Sequence, residues 1–247
     1  MKISKSHLLD GKTISITGSK SISNRLLILG KLFGDLKIEN LSNSQDTQLL
    51  QKALNEDSET VDIHHAGTAM RFLTSFYAIQ EGRKTILTGS ERMKQRPIKP
   101  LVDALRELGA EINYLENEGF PPLEIHGKRI EKNFVKIPAN ISSQFITSLL
   151  LIGASLENGL EIELKGEITS RSYIKMTLKI LKDIGIESRF ERNSIKILSS
   201  ETSLYNKQLD KHFHTSKIKH YTVESDWSSA SYFYSLAAIG KKRIHLK

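Results

Sequence analysis

Four times along the chain a cluster of small polar residues stands in front of an apolar run of helical length. Gly18-Ser19-Lys20-Ser21 precedes Leu26-Leu27-Ile28-Leu29, and Ala66-Gly67-Thr68 precedes residues 72–79. Ile141-Ser142-Ser143-Gln144 precedes residues 145–152, and Asp226-Trp227-Ser228-Ser229 precedes residues 232–239. The first four backbone N–H groups of a helix have no intrahelical acceptor, and the helix dipole adds partial positive charge there. Such an end binds phosphate or carboxylate when small residues let the anion come close. Three clusters also carry side chains suited to anions. Lys20 and Arg25 flank the first, Arg71 follows Gly67-Thr68, and Ser142, Ser143 and Gln144 supply hydroxyls and an amide. Simple N-capping by Ser and Thr is the alternative for any one cluster. Four in register, several with cations, bring the two readings level.

A fifth candidate is Arg92-Met93-Lys94-Gln95-Arg96-Pro97, three cations just before a proline expected to start a helix at Ile98. Arginine forks grip carboxylate or phosphate in a bidentate way that lysine does not. The alternative is a solvated basic turn; its place between a strand and a helix start favours an anion clamp.

Other chemistries drop out. The chain has no Cys, which removes disulfides, thiolate metal sites and thiol nucleophiles. Ser19 separates Gly18 from Lys20, so the phosphate-loop pattern is absent, as are Gly-x-Gly-x-x-Gly and His-Glu-x-x-His. His64 and His65 are adjacent and cannot share one strand face around a metal. The basic stretch 206–220, with Lys207, Lys211, His212, His214, Lys217, Lys219 and His220, fits no standard metal spacing and reads as a solvated basic loop or strand face. The 36 Lys and Arg against 28 Asp and Glu give a net charge of +8, which points to an anionic partner without naming it. At 38% hydrophobic and 26% charged residues the composition is that of a soluble globular protein. The longest apolar stretch, 145–154, is broken by Thr147, Ser148 and Gly153 and falls short of the ~20 residues of a membrane helix. No leader pattern occupies residues 1–7, so a cytoplasmic protein is expected.

The elements that must position these residues repeat. Each apolar run is followed by a short strand, at 36–41, 85–88, 160–164 and 243–246. A second kind of helix is predicted at 98–108, apolar at 98, 101, 102, 105 and 108 and ending at Gly109. Another spans 173–184 and ends at Gly185. Each of these leads into two strands, 111–115 with 123–126 and 187–190 with 194–198. The repeating order is helix, strand, helix, strand, strand, which predicts an α/β fold of stacked mixed sheets from 247 residues, as one large domain or two small ones. The fourth unit stops at Lys247 after its first strand, so its apolar face is expected to lack full cover.

Gly18-Ser19-Lys20-Ser21-Ile22-Ser23-Asn24-Arg25, Ala66-Gly67-Thr68-Ala69-Met70-Arg71, residues 87–97 and Ser142-Ser143-Gln144-Phe145 together resemble the enolpyruvylshikimate phosphate synthases, the 3-phosphoshikimate 1-carboxyvinyltransferases of aromatic amino-acid biosynthesis. Ser170-Arg171-Ser172-Tyr173-Ile174 and residues 223–230 resemble two further segments of that family. The resemblance implies an enolpyruvyl transferase-like fold, an inside-out α/β barrel of βαβαββ units repeated about a pseudo-threefold axis. Residues 19–223 would form the shikimate 3-phosphate-binding domain of three units, and residues 1–18 and 224–247 the incomplete start of a second domain. The implied reaction moves the enolpyruvyl group of phosphoenolpyruvate to the 5-hydroxyl of shikimate 3-phosphate and releases phosphate, without metal or organic cofactor. The motifs map Ser21, Arg25, Ser142, Ser143, Gln144, Ser170 and Tyr173 onto shikimate 3-phosphate ligands. Lys20, Gly67, Arg96 and Arg92 map onto phosphoenolpyruvate ligands, with Lys20 also in a catalytic, charge-stabilising role. By that mapping the downstream acid/base and further phosphoenolpyruvate ligands lie beyond Lys247, so this chain is expected to bind substrate without turnover. The whole enzyme would be a monomer, and this chain would self-associate through its uncovered face.

Three positions depart from the family pattern: His65 where Asn is common, Ser172 where Pro is frequent, and Trp227 where a small residue is usual. Rival readings are the sister transferase acting on UDP-N-acetylglucosamine, a basic nucleic-acid-binding protein, and a purely structural binding module. The first is disfavoured by the missing Cys and by Ser21 after Lys20, the second by the lack of aromatics interleaved with the basic residues.

Overall fold

The computed structural model describes residues 8–34, 36–199 and 220–247. The elements run β1 (Lys12–Ile14), α1 (Lys20–Phe33), β2 (Lys37–Glu39), α2 (Gln45–Asn55), β3 (Thr60–Asp62), α3 (Gly67–Ala78), β4 (Lys84–Thr88), the single turn α4 (Glu91–Lys94), α5 (Lys99–Leu108), β5 (Glu111–Tyr114) and β6 (Leu123–His126). They continue with β7 (Phe134–Pro138), α6 (Ser143–Gly153), β8 (Leu160–Lys165), α7 (Arg171–Asp183), β9 (Ser188–Glu191), β10 (Ser194–Ile197), β11 (His220–Thr222), α8 (Trp227–Gly240) and β12 (Ile244–Leu246).

Two four-stranded sheets share one topology. The orders β3-β4-β6-β5 and β7-β8-β10-β9 each have a parallel first pair followed by two antiparallel pairings. Each is a βαβαββ unit, the first with α4 added ahead of its second helix. The parallel pair β2 and β11 joins residues near both ends of the chain, and β1 pairs in parallel with β12. The predicted alternation of helices, strands and hairpins is therefore present, with strand ends within a residue or two of expectation.

Two local expectations need correction. Pro97 does not open a helix at Ile98: Ile98 is the N-cap, α5 begins at Lys99, and Pro100 occupies the first turn, where a missing N–H costs nothing. Helix α2 was not anticipated. Its sequence is mostly polar and buries only Thr47, Leu50, Ala53 and Leu54, too narrow a stripe to stand out as a periodicity. The basic stretch 206–220 lies, apart from His220, outside the described residues.

The core explains which helices can carry a site. α1, α3 and α6 touch one another, and α3 and α6 are buried almost all round. A helix apolar on every side has to lie inside, with its ends as the only surface it presents. α5 instead shows a single apolar stripe, Leu101, Val102, Leu105 and Leu108, and stops at Gly109 in the left-handed conformation. Small hydroxyls inside the bundle are paired: Ser75 and Ser148 share a hydrogen bond of 2.5 Å between α3 and α6, and Ser148 also donates to the Arg71 carbonyl. α8 stands apart. Only Ala230 of its residues is buried, and Tyr232, Tyr234, Leu236 and Ile239 are exposed, so the apolar face of the fourth unit is uncovered as its sequence suggested.

The segments leading into α1 and α8 run side by side. Ser19 N–H donates to the Glu224 carbonyl (2.8 Å) and Asp226 N–H to the Thr17 carbonyl (3.0 Å), with Gly18 and Ser225 bridged between them. Gly18 is required here, because a β-carbon would run into the Asn40 carbonyl and the Val223 side chain.

Candidate functional site: a basic cavity at converging helix ends

The N-termini of α1, α6 and α8, with Thr68 of α3, meet around one cavity of about 660 Å³. Its wall includes Lys20, Ser21 and Arg25 from α1, Ser142, Ser143 and Gln144 from the start of α6, Tyr173 and Met176 from α7, and Glu224 to Ser228 around the start of α8. Sequence clusters separated by more than 200 residues thus share one space, because α1, α3 and α6 pack on one another and the hydrogen bonds of Ser19 to Glu224 and Asp226 to Thr17 set the start of α8 beside that of α1. Capping does not account for all of them. Ser142 accepts from Gln144 N–H (3.3 Å) and Asp226 from Ser228 N–H (2.8 Å), whereas Ser19 of α1 and Ala66 of α3 supply no side-chain cap.

Arg25 is the centre of the site. Only 4% of it is exposed. Its Nε donates to Thr177 Oγ1 (2.8 Å), Nη1 to the Ser21 carbonyl (2.6 Å) and Nη2 to Thr147 Oγ1 (3.3 Å). The guanidinium carbon also lies 5.7 Å from the Phe72 ring centroid and 5.9 Å from that of Tyr173. All of these partners are neutral. Burial accordingly pulls the guanidinium well below its ordinary value, to about 10. A buried cation among neutral oxygens and ring faces lacks the counter-charge that normally offsets its desolvation, and a bound anion would supply it. Lys20 stands at the entrance, half-exposed, with its Nζ 3.9 Å from Asp46 at the start of α2.

A second cationic group abuts the first. Gln144 Nε2 donates to Thr68 Oγ1 (3.2 Å), tying α6 to the first turn of α3, where Gly67 precedes Thr68. A β-carbon on Gly67 would fall within the Arg96 guanidinium, so this glycine is what lets that arginine lie against the start of α3. Arg96 and Arg92 are both exposed. Arg71, read from the sequence as suited to an anion, turns inward instead. It donates to the Gly67 carbonyl (3.0 Å), the Pro97 carbonyl (3.2 Å) and Met93 Sδ (3.8 Å), bracing the 93–97 turn. Burial, and then the neighbouring Arg96 charge, lowers its guanidinium to about 10.

Of the residues singled out by sequence, Lys20, Ser21, Arg25, Ser142, Ser143, Gln144 and Tyr173 stand in the wall of the one cavity. Gly67 and Arg96 form the adjacent group, whereas Arg92 is exposed on α4 and outside the cavity wall. Ser170 is the N-cap of α7, half-buried and outside the cavity wall; its helix instead brings Tyr173 and Met176 forward. Thr147, Thr177 and Phe72, which hold Arg25, were not anticipated, since nothing local distinguishes them from core residues. His64 and His65 are exposed with ring centroids 5.3 Å apart, and no set of three or more metal-ligating residues occurs among the described residues. No described helix is long and apolar enough to cross a membrane.

Repeated α/β units that bring several helix N-termini and a buried guanidinium with only neutral partners to one cavity define a protein of the enolpyruvyl transferase-like fold. The chain belongs to the EPSP synthase family (3-phosphoshikimate 1-carboxyvinyltransferase), whose family model matches residues 50–247. It is 50% identical over 229 residues to the 3-phosphoshikimate 1-carboxyvinyltransferase of a Bacteroides fragilis strain, covering 92% of this chain and 52% of that protein. The Haemophilus influenzae enzyme of the same name is 39% identical over 265 residues, covering 94% and 58%. The chain thus spans little more than half the length of these curated relatives. Among solved structures, EPSP synthase from Acinetobacter baumannii superposes with a TM-score of 0.70 at 19% identity, over 95% of this chain and 54% of that one, a likeness of fold.

Proposed function

We propose that this chain is the shikimate 3-phosphate-binding part of a 3-phosphoshikimate 1-carboxyvinyltransferase, with residues 19–223 as the binding domain and residues 1–18 and 224–247 as the start of a second one. The observation that carries the reading is Arg25, a buried cation without a carboxylate partner among the described residues, set where helix N-termini converge. The phosphate of shikimate 3-phosphate is assigned to Arg25 with the hydroxyls and N–H groups of Ser21, Ser142 and Ser143; Gln144, Ser170 and Tyr173 hold the remainder of the ligand. A dianion there neutralises Arg25 and accepts from helix ends, each a favourable charge-assisted contact.

Phosphoenolpyruvate is assigned to Lys20, Gly67, Arg96 and Arg92. In the whole enzyme the 5-hydroxyl oxygen adds to C2 of phosphoenolpyruvate as its own proton leaves and C3 takes up a proton, which gives a tetrahedral intermediate. Loss of phosphate from C2 together with a proton from C3 then leaves the enolpyruvyl ether. Lys20 stabilises the charge on the departing phosphate, a positioning and electrostatic role. By the family's pattern the acid/base groups of the transfer come from the part of the enzyme its relatives have beyond the matched region, and the part in this chain holds shikimate 3-phosphate. The net charge of +8 is consistent with an anionic ligand.

Calorimetric titration of the chain with shikimate 3-phosphate tests the proposal. Heat of binding that weakens as ionic strength rises is the expected result. Absence of heat at millimolar ligand, or duplex DNA binding in its place, would overturn it.

A further inference from the structure

We propose that Trp227 is a ligand-contacting residue, an aromatic wall for the carbocyclic ring of the phosphorylated substrate; this rests on the shikimate 3-phosphate reading above. Trp227 is 67% exposed, yet it lines the same cavity as Arg25 and Tyr173. The other exposed apolar side chains of α8, Tyr232, Tyr234, Leu236 and Ile239, take no part in that wall.

The indole is also held in place. Its Nε1 donates to Glu224 Oε1 at 2.8 Å, and the Glu224 backbone carbonyl is anchored by Ser19 N–H. Asp226 caps the helix that begins at Trp227 by accepting from Ser228 N–H. One end of the ring is therefore fixed by a polar contact, while its carbon surface stays open to the cavity. Tryptophan suits that use, since its indole offers a large rigid apolar surface with a single polar handle. The phosphate end of the ligand is served by Arg25 and the helix starts, and its carbon ring needs a surface that excludes water. Tyr173 and Trp227 are the exposed aromatics in this wall.

Trp227 is the chain's one tryptophan, so intrinsic emission reports on it alone. Titration with shikimate 3-phosphate is expected to shift that emission to the blue with the same midpoint that calorimetry gives. Inorganic phosphate, which has no ring, should leave it unchanged. Trp227→Ala should weaken shikimate 3-phosphate binding about tenfold and leave phosphate binding as it was, whereas Trp227→Phe retains most of the affinity. If calorimetry detects no shikimate 3-phosphate binding to the unaltered chain, the functional reading fails and this proposal falls with it. If binding is intact but the emission does not move and Trp227→Ala binds as tightly, the proposal alone is overturned.

Discussion

Replacing Arg25 by Met separates the needs of the site from those of the fold. Folding carries this guanidinium from water to a buried position where its pKa falls well below the ordinary arginine value, to about 10. At 1.36 kcal/mol per unit, the buried charge weakens the native state by about 3 kcal/mol. The sign follows from the direction of the shift. Below pH 10 both folded and unfolded chains carry the proton and the full cost is present; above pH 10 the folded chain loses it first, and the cost fades as pH rises towards the unfolded value. Methionine fills a similar volume without charge. The hydroxyls left behind keep partners, because Thr177 donates to the Tyr173 carbonyl (2.8 Å) and lies 3.4 Å from Thr147 Oγ1. Arg25→Met is therefore expected to unfold in urea at the same or a higher midpoint, by up to ~3 kcal/mol. Shikimate 3-phosphate affinity should nevertheless drop at least about 30-fold, the effect of losing ~2 kcal/mol or more from a desolvated charged contact. A variant more than about 2 kcal/mol less stable that still binds normally would show that Arg25 serves the fold.

Gly67→Ala should fold with an unchanged melting temperature, since the added methyl meets only the mobile end of the exposed Arg96 side chain. Phosphoenolpyruvate binding measured with shikimate 3-phosphate present should fall about tenfold as that guanidinium is displaced. Ser142→Ala removes the cap of α6 and should cost about 1 kcal/mol, a drop of ~2–4 °C in Tm by calorimetry; an unchanged Tm would remove the cap from the account. Tyr77→Phe deletes a buried hydroxyl that donates to the Ala53 carbonyl (2.9 Å) and should cost about 1 kcal/mol in urea unfolding. Burial raises the same phenol to about 12, so the native chain should lose stability as pH rises from 10 to 12, where the unfolded Tyr77 ionises first. In Tyr77→Phe that part of the alkaline loss should disappear.

Much of the site is legible along the chain, because a helix start declares itself locally through small polar residues ahead of an apolar run. The same holds for α5, whose single stripe and terminal Gly109 are readable in ten residues. Helix α2 escaped because a mostly polar helix is held by a few tertiary contacts, among them Thr47 Oγ1 donating to Asn24 Oδ1 (2.7 Å). Ser170 stands at the α7 N-cap, and which side chains of that helix line the cavity, Tyr173 and Met176, followed only from its packing.

The repeated units, the excess of positive charge and the residue types that can hold phosphate are written in the order of residues alone, since periodicity, capping and charge are local properties. Which of two equally buried arginines faces the cavity depends on packing between distant segments. Arg25 and Arg71 look alike in sequence, each in the second turn of a helix that opens on small residues. Arg25 is enclosed by Thr147 and Thr177 at the cavity, while Arg71 is turned onto the Gly67 and Pro97 carbonyls. The difference lies in what other helices, distant along the chain, bring against each guanidinium, and no local pattern encodes that.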